Sequence, residues 1–209
     1  MSAAAPFRWQ DGERLIVFGR GTLADASGLI GSGYTLLTTR RAAAQAPKLS
    51  DAAAAVHEVG PGRVDEIAGE LRAHITGELL VALGGGRVID VAKALAAADP
   101  PRRVAAIPTT LSGAEMTAVH RHAVGVATDA PRVRPAIVIN DPDLSASQPV
   151  PELAASALNG LGHAVEGPLT PLASPVPNLA AVTAARLLVG GFGAEPDREA
   201  LALGALLAG

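Results

Sequence analysis

The stretch Leu79-Leu80-Val81-Ala82-Leu83-Gly84-Gly85-Gly86-Arg87-Val88-Ile89-Asp90-Val91-Ala92-Lys93 reads as a buried strand running through three glycines into a helix. Glycines without side chains let backbone N–H groups approach a phosphate, and the start of the following helix adds a favourable positive potential. The segment is therefore a plausible diphosphate cradle, with a simple tight strand-to-helix turn as the alternative. It is not the G-x-G-x-x-G fingerprint. It also lacks the Gly-Lys-Ser/Thr ending of a nucleotide-triphosphatase loop, which argues against ATP hydrolysis.

Outward from this turn, short β-branched or leucine-rich runs alternate with alanine-rich amphipathic stretches from Arg14 to Asn140, the pattern of an α/β domain with a mainly parallel sheet. Strands are expected at Leu15–Phe18, Thr35–Thr38, Val56–Val59, Leu79–Leu83, Val104–Ile107 and Ala136–Ile139. Helices are expected at Leu23–Ile30, Arg41–Ala55 and Val64–Ile75, the last from Val64, Ile67, Leu71 and Ile75 at helical spacing. At Asn140-Asp141-Pro142-Asp143 the pattern changes, and helices at Pro151–Glu166, Asn178–Val189 and Pro196–Leu207 follow. The expected division is an α/β domain over residues 1–140 and an incomplete helical domain over 141–209. Leu201, Leu203, Leu206 and Leu207 form an apolar face with nothing after it to bury it, so exposure, self-association or packing on the first domain is expected.

Composition narrows the partner. The chain has 209 residues, enough for one domain and part of another at roughly 100–200 residues each. It is 49% hydrophobic and 18% charged, a packed globular balance that excludes disorder as the main state. Five aromatic residues against 44 alanines imply an aliphatic core with closely packed helices and almost no platform for stacking unpaired bases. A net charge of -3 gives no footprint for nucleic acid or an anionic membrane, which leaves a small-molecule partner. With no cysteine, disulfides, thiolate metal sites and cysteine nucleophiles are excluded together. Met1 to Trp9 has no signal-peptide pattern and no run of 18 apolar residues occurs, so a cytoplasmic location is expected.

Two further constellations carry polar groups. Ala106-Ile107-Pro108-Thr109-Thr110-Leu111-Ser112-Gly113-Ala114-Glu115-Met116-Thr117 follows another expected strand and would lie beside the glycine turn, beyond the carboxyl ends of the strands where open parallel sheets bind ligands. The two loops together favour a dinucleotide. Asn159 and His163, four residues apart, share one helix face; such a pair lines a site, ligates a metal, or satisfies a buried imidazole with an amide. His120 and His122 have no matched acid and read as structural or solvated.

The triple glycine with Asp90 and Lys93, the Pro-Thr-Thr loop through Thr117, and the Asn159–His163–Glu166 helix, in that order, resemble the iron-containing alcohol dehydrogenase superfamily. Ile16-Val17-Phe18-Gly19 with Gly21-Thr22-Leu23 is similar to that family's first strand and turn. Within it the maleylacetate reductase branch looks nearest, because Asn159 stands where metal-dependent members have an aspartate ligand. The resemblance implies a Rossmann-like N-terminal domain, an all-helical C-terminal domain and hydride transfer between them. It also implies cofactor contacts from Gly84, Gly85, Gly86, Asp90, Thr109, Thr110, Leu111, Ser112 and Thr117. His163 matches a metal ligand of the family, but in this branch it would serve a site without metal. His163 and Asn159 are then the expected catalytic pair, as a polar group facing the substrate and as hydrogen-bond donor to substrate oxygen.

The chain departs from the family in two ways. Arg87 replaces a usual serine, and family members continue well past Gly209, so truncation is expected. Thr38-Thr39-Arg40-Arg41 offers no ribose-binding acid, and its arginines suit a 2′-phosphate; use of either NADH or NADPH is expected. The expected reaction is reduction of maleylacetate, a small oxo-carboxylate, to 3-oxoadipate, by a homo-oligomer without metal. The alternatives are a metal-dependent alcohol or polyol dehydrogenase, and a catalytically silent chain that binds nucleotide or a partner.

Overall fold

The structure, a computed structural model, describes residues 5–171 and 173–209. The first four residues of the Met1–Trp9 stretch lie outside the described residues. Seven strands form one sheet in the order β1-β2-β7-β6-β5-β3-β4. They are β1 (Phe7–Asp11), β2 (Arg14–Phe18), β3 (Thr35–Thr38), β4 (Ala55–Glu58), β5 (Leu79–Gly84), β6 (Arg103–Pro108) and β7 (Ile137–Asn140). Every pairing is parallel except β1 with β2.

All six expected strands form. The seventh, β1, was not expected. Its alternation is weak because Arg8, Trp9 and Gln10 are all exposed, as suits an edge strand. It is held by a two-residue turn in which Gly12 takes φ +59, and by an Arg14–Asp11 ion pair at 3.0 Å.

The helices between strands are shorter than their periodicity predicts. Leu23–Ile30 divides into a 3-10 turn over Thr22–Asp25 and α1 (Ala26–Ile30). The expected Arg41–Ala55 helix divides into α2 (Arg40–Gln45) and α3 (Pro47–Asp51), because Pro47 disfavours helical backbone at Ala46, which sits at φ -138. Ala55 belongs to β4. Helix α4 (Val64–Leu71) passes into a 3-10 turn over Arg72–His74.

Helix α5 (Gly86–Ala98) packs on one face of the sheet: Val88, Ile89, Val91, Ala92 and Leu95 join Leu37, Leu80, Ala82, Val104 and Ala106 in a cluster that Ala68 of α4 closes. On the opposite face Ile30, Tyr34, Leu36, Val81, Leu83, Ile107 and Ile139 form a second cluster. Burying a single such aliphatic side chain stabilises by about 1.5–3 kcal/mol, so these two clusters hold the sheet.

Beyond Asn140 the described residues contain no strand, as expected. Helices α6 (Val150–Glu166), α7 (Pro175–Gly190) and α8 (Arg198–Ala208) follow a 3-10 segment over Pro142–Ser147. Pro196 precedes α8 rather than opening it, and Asp197 caps the helix by accepting the Ala200 N–H at 3.0 Å.

The leucine face of α8 is not exposed. Leu201 and Leu206 are buried with Ile16, Phe18 and Val138 of the sheet and Leu153 and Leu188 of the other helices, and Leu203 and Leu207 pack against them. Gly204 permits the close α7–α8 approach: a Cβ there would lie 2.8 Å from Leu188 Cγ and 3.2 Å from the Ala184 carbonyl. Large exposed apolar residues do occur on α6 and α7, among them Leu158, Val165, Val176, Leu179, Val182 and Val189. No helix among the described residues is long and apolar enough to cross a membrane.

Candidate functional site

The carboxyl ends of β5 and β6 are adjacent, with Gly84 opposite Pro108 in the register, so the glycine turn and the 109–117 loop leave the sheet side by side. Thr109 N–H donates to the Gly84 carbonyl at 3.0 Å, which ties the two together. None of Gly84, Gly85 and Gly86 has a positive φ; these glycines answer to close packing instead. A Cβ on Gly84 would lie 2.7 Å from Val88 Cγ2, one on Gly85 3.0 Å from Thr110 Cγ2, and one on Gly86 2.9 Å from Ser112 Cβ. The glycine turn and the Thr-Thr-Leu-Ser loop are thus two halves of one shape.

At the start of α5 the N–H groups of Gly86 and Arg87 have no acceptor within the helix, and Gly85 at the N-cap has no side chain to supply one. This is the arrangement that accepts an anion.

A cleft of about 440 Å³ opens over this turn, lined by Gly86, Asp90, Ser112, Thr117, Asn159 and His163 among others. The structure thus gathers six of the expected site residues from three parts of the sequence. The remaining five lie outside the lining. Gly84 is buried at the strand end, Gly85 is covered by Thr110, and Thr109 is buried. Leu111 is in the core, its N–H given to Ser156 Oγ at 2.8 Å. That bond anchors the second loop to α6, and no sequence signal singled out Ser156. The cleft also takes Glu166, the third member of the helix motif, and Thr170 and Ala208, which the reading of the sequence did not foresee. The end of α8 reaches it because Gly113, at φ +68, lets the Ala205 carbonyl approach.

Across the cleft from the glycines, Asn159 Nδ2 donates to His163 Nε2 at 3.2 Å, so the neutral ring carries its proton on Nδ1. Both side chains are exposed. No group of three His, Asp or Glu side chains among the described residues is placed to hold a metal ion. An amide engaged with the imidazole, beside the single carboxylate of Glu166 on the same helix, does not make a closed donor set for one.

Behind the cleft floor two charges are buried. Lys93 is fully buried beside Asp90. Burial lowers its pKa, and Asp90, followed by Glu115, opposes that shift. Glu115 is 1% exposed, and burial pushes its carboxyl up to about 7 despite Lys93 and a hydrogen bond from Asn140 Nδ2 at 3.2 Å. His120 is structural, as expected: its Nε2 accepts the Val133 N–H at 3.1 Å and its Nδ1 faces the Arg121 carbonyl at 3.0 Å.

Comparison with known proteins places this geometry. No family model matches the chain. A maleylacetate reductase from Sphingobium indicum is 33% identical over 189 residues, covering 83% of this chain and 53% of that protein. The structure of a maleylacetate reductase from Agrobacterium tumefaciens superposes with a TM-score of 0.80 at 26% identity, over 98% of this chain and 65% of that one. An iron-containing alcohol dehydrogenase from Corynebacterium glutamicum gives 0.78 at 27% identity, over 99% and 64%. A sulfoacetaldehyde reductase from Bifidobacterium kashiwanohense, solved in complex with NAD+, gives 0.71 at 25% identity, over 92% and 63%. The chain therefore spans about half the length of this curated relative. In fold and in motif order the chain is similar to maleylacetate reductases and to iron-containing alcohol dehydrogenases.

Proposed function

We propose that the chain supplies the dinucleotide-binding half of an NAD(P)H-dependent reductase, with maleylacetate as substrate and 3-oxoadipate as product. The carrying observation is the glycine turn, whose free helix-start N–H groups face Asn159 and His163 across one cleft. In this reading residues 1–140 bind the cofactor and residues 141–209 begin the opposing helical wall. The cofactor supplies a hydride to the carbon–carbon double bond conjugated with the ketone.

The chain's own residues do the rest. The N–H groups at the start of α5 receive the diphosphate, and Asp90 accepts hydrogen bonds from the cofactor's donors. Asn159 uses its amide to steady negative charge on the enolate oxygen, His163 offers its Nδ1–H to the substrate as a hydrogen-bond donor, and the proton that completes the reduction comes from solvent. The donor set supports action without metal, as Asn159 is a neutral ligand already bonded to the imidazole. Arg40 and Arg41 are exposed and pair with Glu58 at 3.5 Å and Glu152 at 3.3 Å; exchanging these partners for a 2′-phosphate supports use of either cofactor. A cytoplasmic homo-oligomer fits this role.

A second reading, reduction of an uncharged aldehyde, is favoured by one observation. Asp90 and Glu166 line the cleft, and no Lys or Arg among the described residues does. A dianionic substrate gains from a cation, and an aldehyde does not need one. NADH and NADPH oxidation with maleylacetate and with simple aldehydes, each with and without chelator, separates the readings. Turnover of maleylacetate unaffected by chelator is expected; turnover confined to aldehydes and abolished by chelator overturns the proposal.

A further inference from the structure

Lys93 lies on α5 two turns beyond Gly86, and its side chain is 0% exposed. Its Nζ donates to the carbonyls of Ala114 at 2.9 Å and Val119 at 2.8 Å and to Thr117 Oγ1 at 3.4 Å. These bonds draw the 114–119 segment, one wall of the cleft, onto the helix that carries the glycine turn. Asp90 Oδ1, itself buried, lies 2.8 Å from the same nitrogen in an ion pair. The pair pins the buried oxygen, while the Asp90 side chain as a whole is 28% exposed and lines the cleft. A buried ammonium used only for packing would be costly, whereas one that fixes a ligand-facing acceptor has a use that offsets the desolvation.

We propose that Lys93 is a positioning residue for the cofactor. By pinning Oδ1 it turns the other carboxylate oxygen of Asp90, and the Thr117 wall, toward a hydroxyl or amide donor of the bound nicotinamide dinucleotide. The inference rests on the dinucleotide reading above. Arginine cannot take its place, because three acceptors converge on a point charge and the planar guanidinium does not fit a fully buried site of that shape.

The test is a double-mutant cycle on NADH affinity, read by fluorescence titration alongside thermal melting. Lys93→Met is expected to weaken NADH binding by about tenfold or more, and by less than about threefold when Asp90→Asn is already present, since both changes remove one acceptor geometry. Equal loss in both backgrounds, or no loss, overturns the proposal. If Lys93→Met does not fold, Lys93→Gln takes its place in the same cycle: coupling of about fivefold or more with Asp90→Asn supports the proposal, and additive losses overturn it. A folded parent that binds neither NADH nor NADPH overturns the dinucleotide reading itself, and this inference with it. A parent that binds while Lys93→Met binds equally overturns only this inference.

Discussion

Helices α5 and α7 are both apolar and both long, yet they meet water in opposite ways. In α5 nine of the thirteen residues are buried, including Val88, Ile89, Val91 and Leu95, because the sheet covers one side and α4 with the 114–126 segment covers the other. In α7 the buried positions are Ala181, Ala184 and Leu188, while Val176, Leu179, Val182 and Val189 face outward. Two alanines inside, with Gly204 of α8 facing Leu188, let α7 approach α8 closely, and the larger residues on the far side leave a broad apolar surface. Periodicity reveals which side chains share a face. Coverage of that face is decided by tertiary neighbours, so equal hydrophobicity carries unequal energy in the two helices.

That inequality is measurable. Leu95→Ala, in the covered helix, is expected to cost about 2–5 kcal/mol by chemical denaturation, the usual range for a buried leucine. The matching change in the open helix, Leu179→Ala, should cost less than about 0.5 kcal/mol. A comparable loss at both sites would show that the outer face of α7 is covered in solution.

The buried charges of the α5 side give the next effect. Glu115 has its carboxyl raised to about 7, above its ordinary 4.5, so the folded state holds this proton more tightly than the unfolded chain. Its stabilising contribution is complete below about pH 4.5 and is lost as pH rises through 7, by up to about 3 kcal/mol at 1.36 kcal/mol per unit. The facing groups are Lys93 and Asn140, with the Arg14 guanidinium on its main-chain carbonyl. Glu115→Gln should flatten the pH dependence of denaturation between pH 4.5 and 7; an unchanged slope would contradict the assignment.

At the α7–α8 crossing, Gly204→Val is expected to cost about 1–3 kcal/mol, because the added atoms meet Leu188 at close range. Ser156→Ala, which strands the Leu111 N–H, should cost about 1 kcal/mol in thermal melting and loosen the loop beside the glycine turn. Preserved stability in either variant would show that the helices adjust more freely than the packing indicates.

Much of this was legible in the chain itself. Alternating apolar runs located six of the seven strands, and the three-part motif assembled Gly86, Asp90, Ser112, Thr117, Asn159 and His163 into one cleft. The parts that were not legible have either a weak local signal or partners distant in sequence. Strand β1 has no buried alternation to reveal it, and the break at Ala46 comes from the single proline after it. The use of Ser156 depends on α6 lying beside residue 111, which no local pattern encodes. The glycines were read as space for a phosphate, and the structure adds that Gly85 and Gly86 also make room for Thr110 and Ser112. The leucines of α8 looked uncovered because their partners, Ile16, Phe18 and Val138, come from the far edge of the sheet.

The central claim is that the turn at Gly84–Gly86 binds a nicotinamide dinucleotide, and calorimetric titration of NADH and NADPH into the parent chain and into Gly85→Val tests it most directly. Saturable binding by the parent and none by the variant is the predicted result, since the added side chain strikes Thr110 and closes the space over the free N–H groups of α5. Equal affinity in the two proteins would contradict the account.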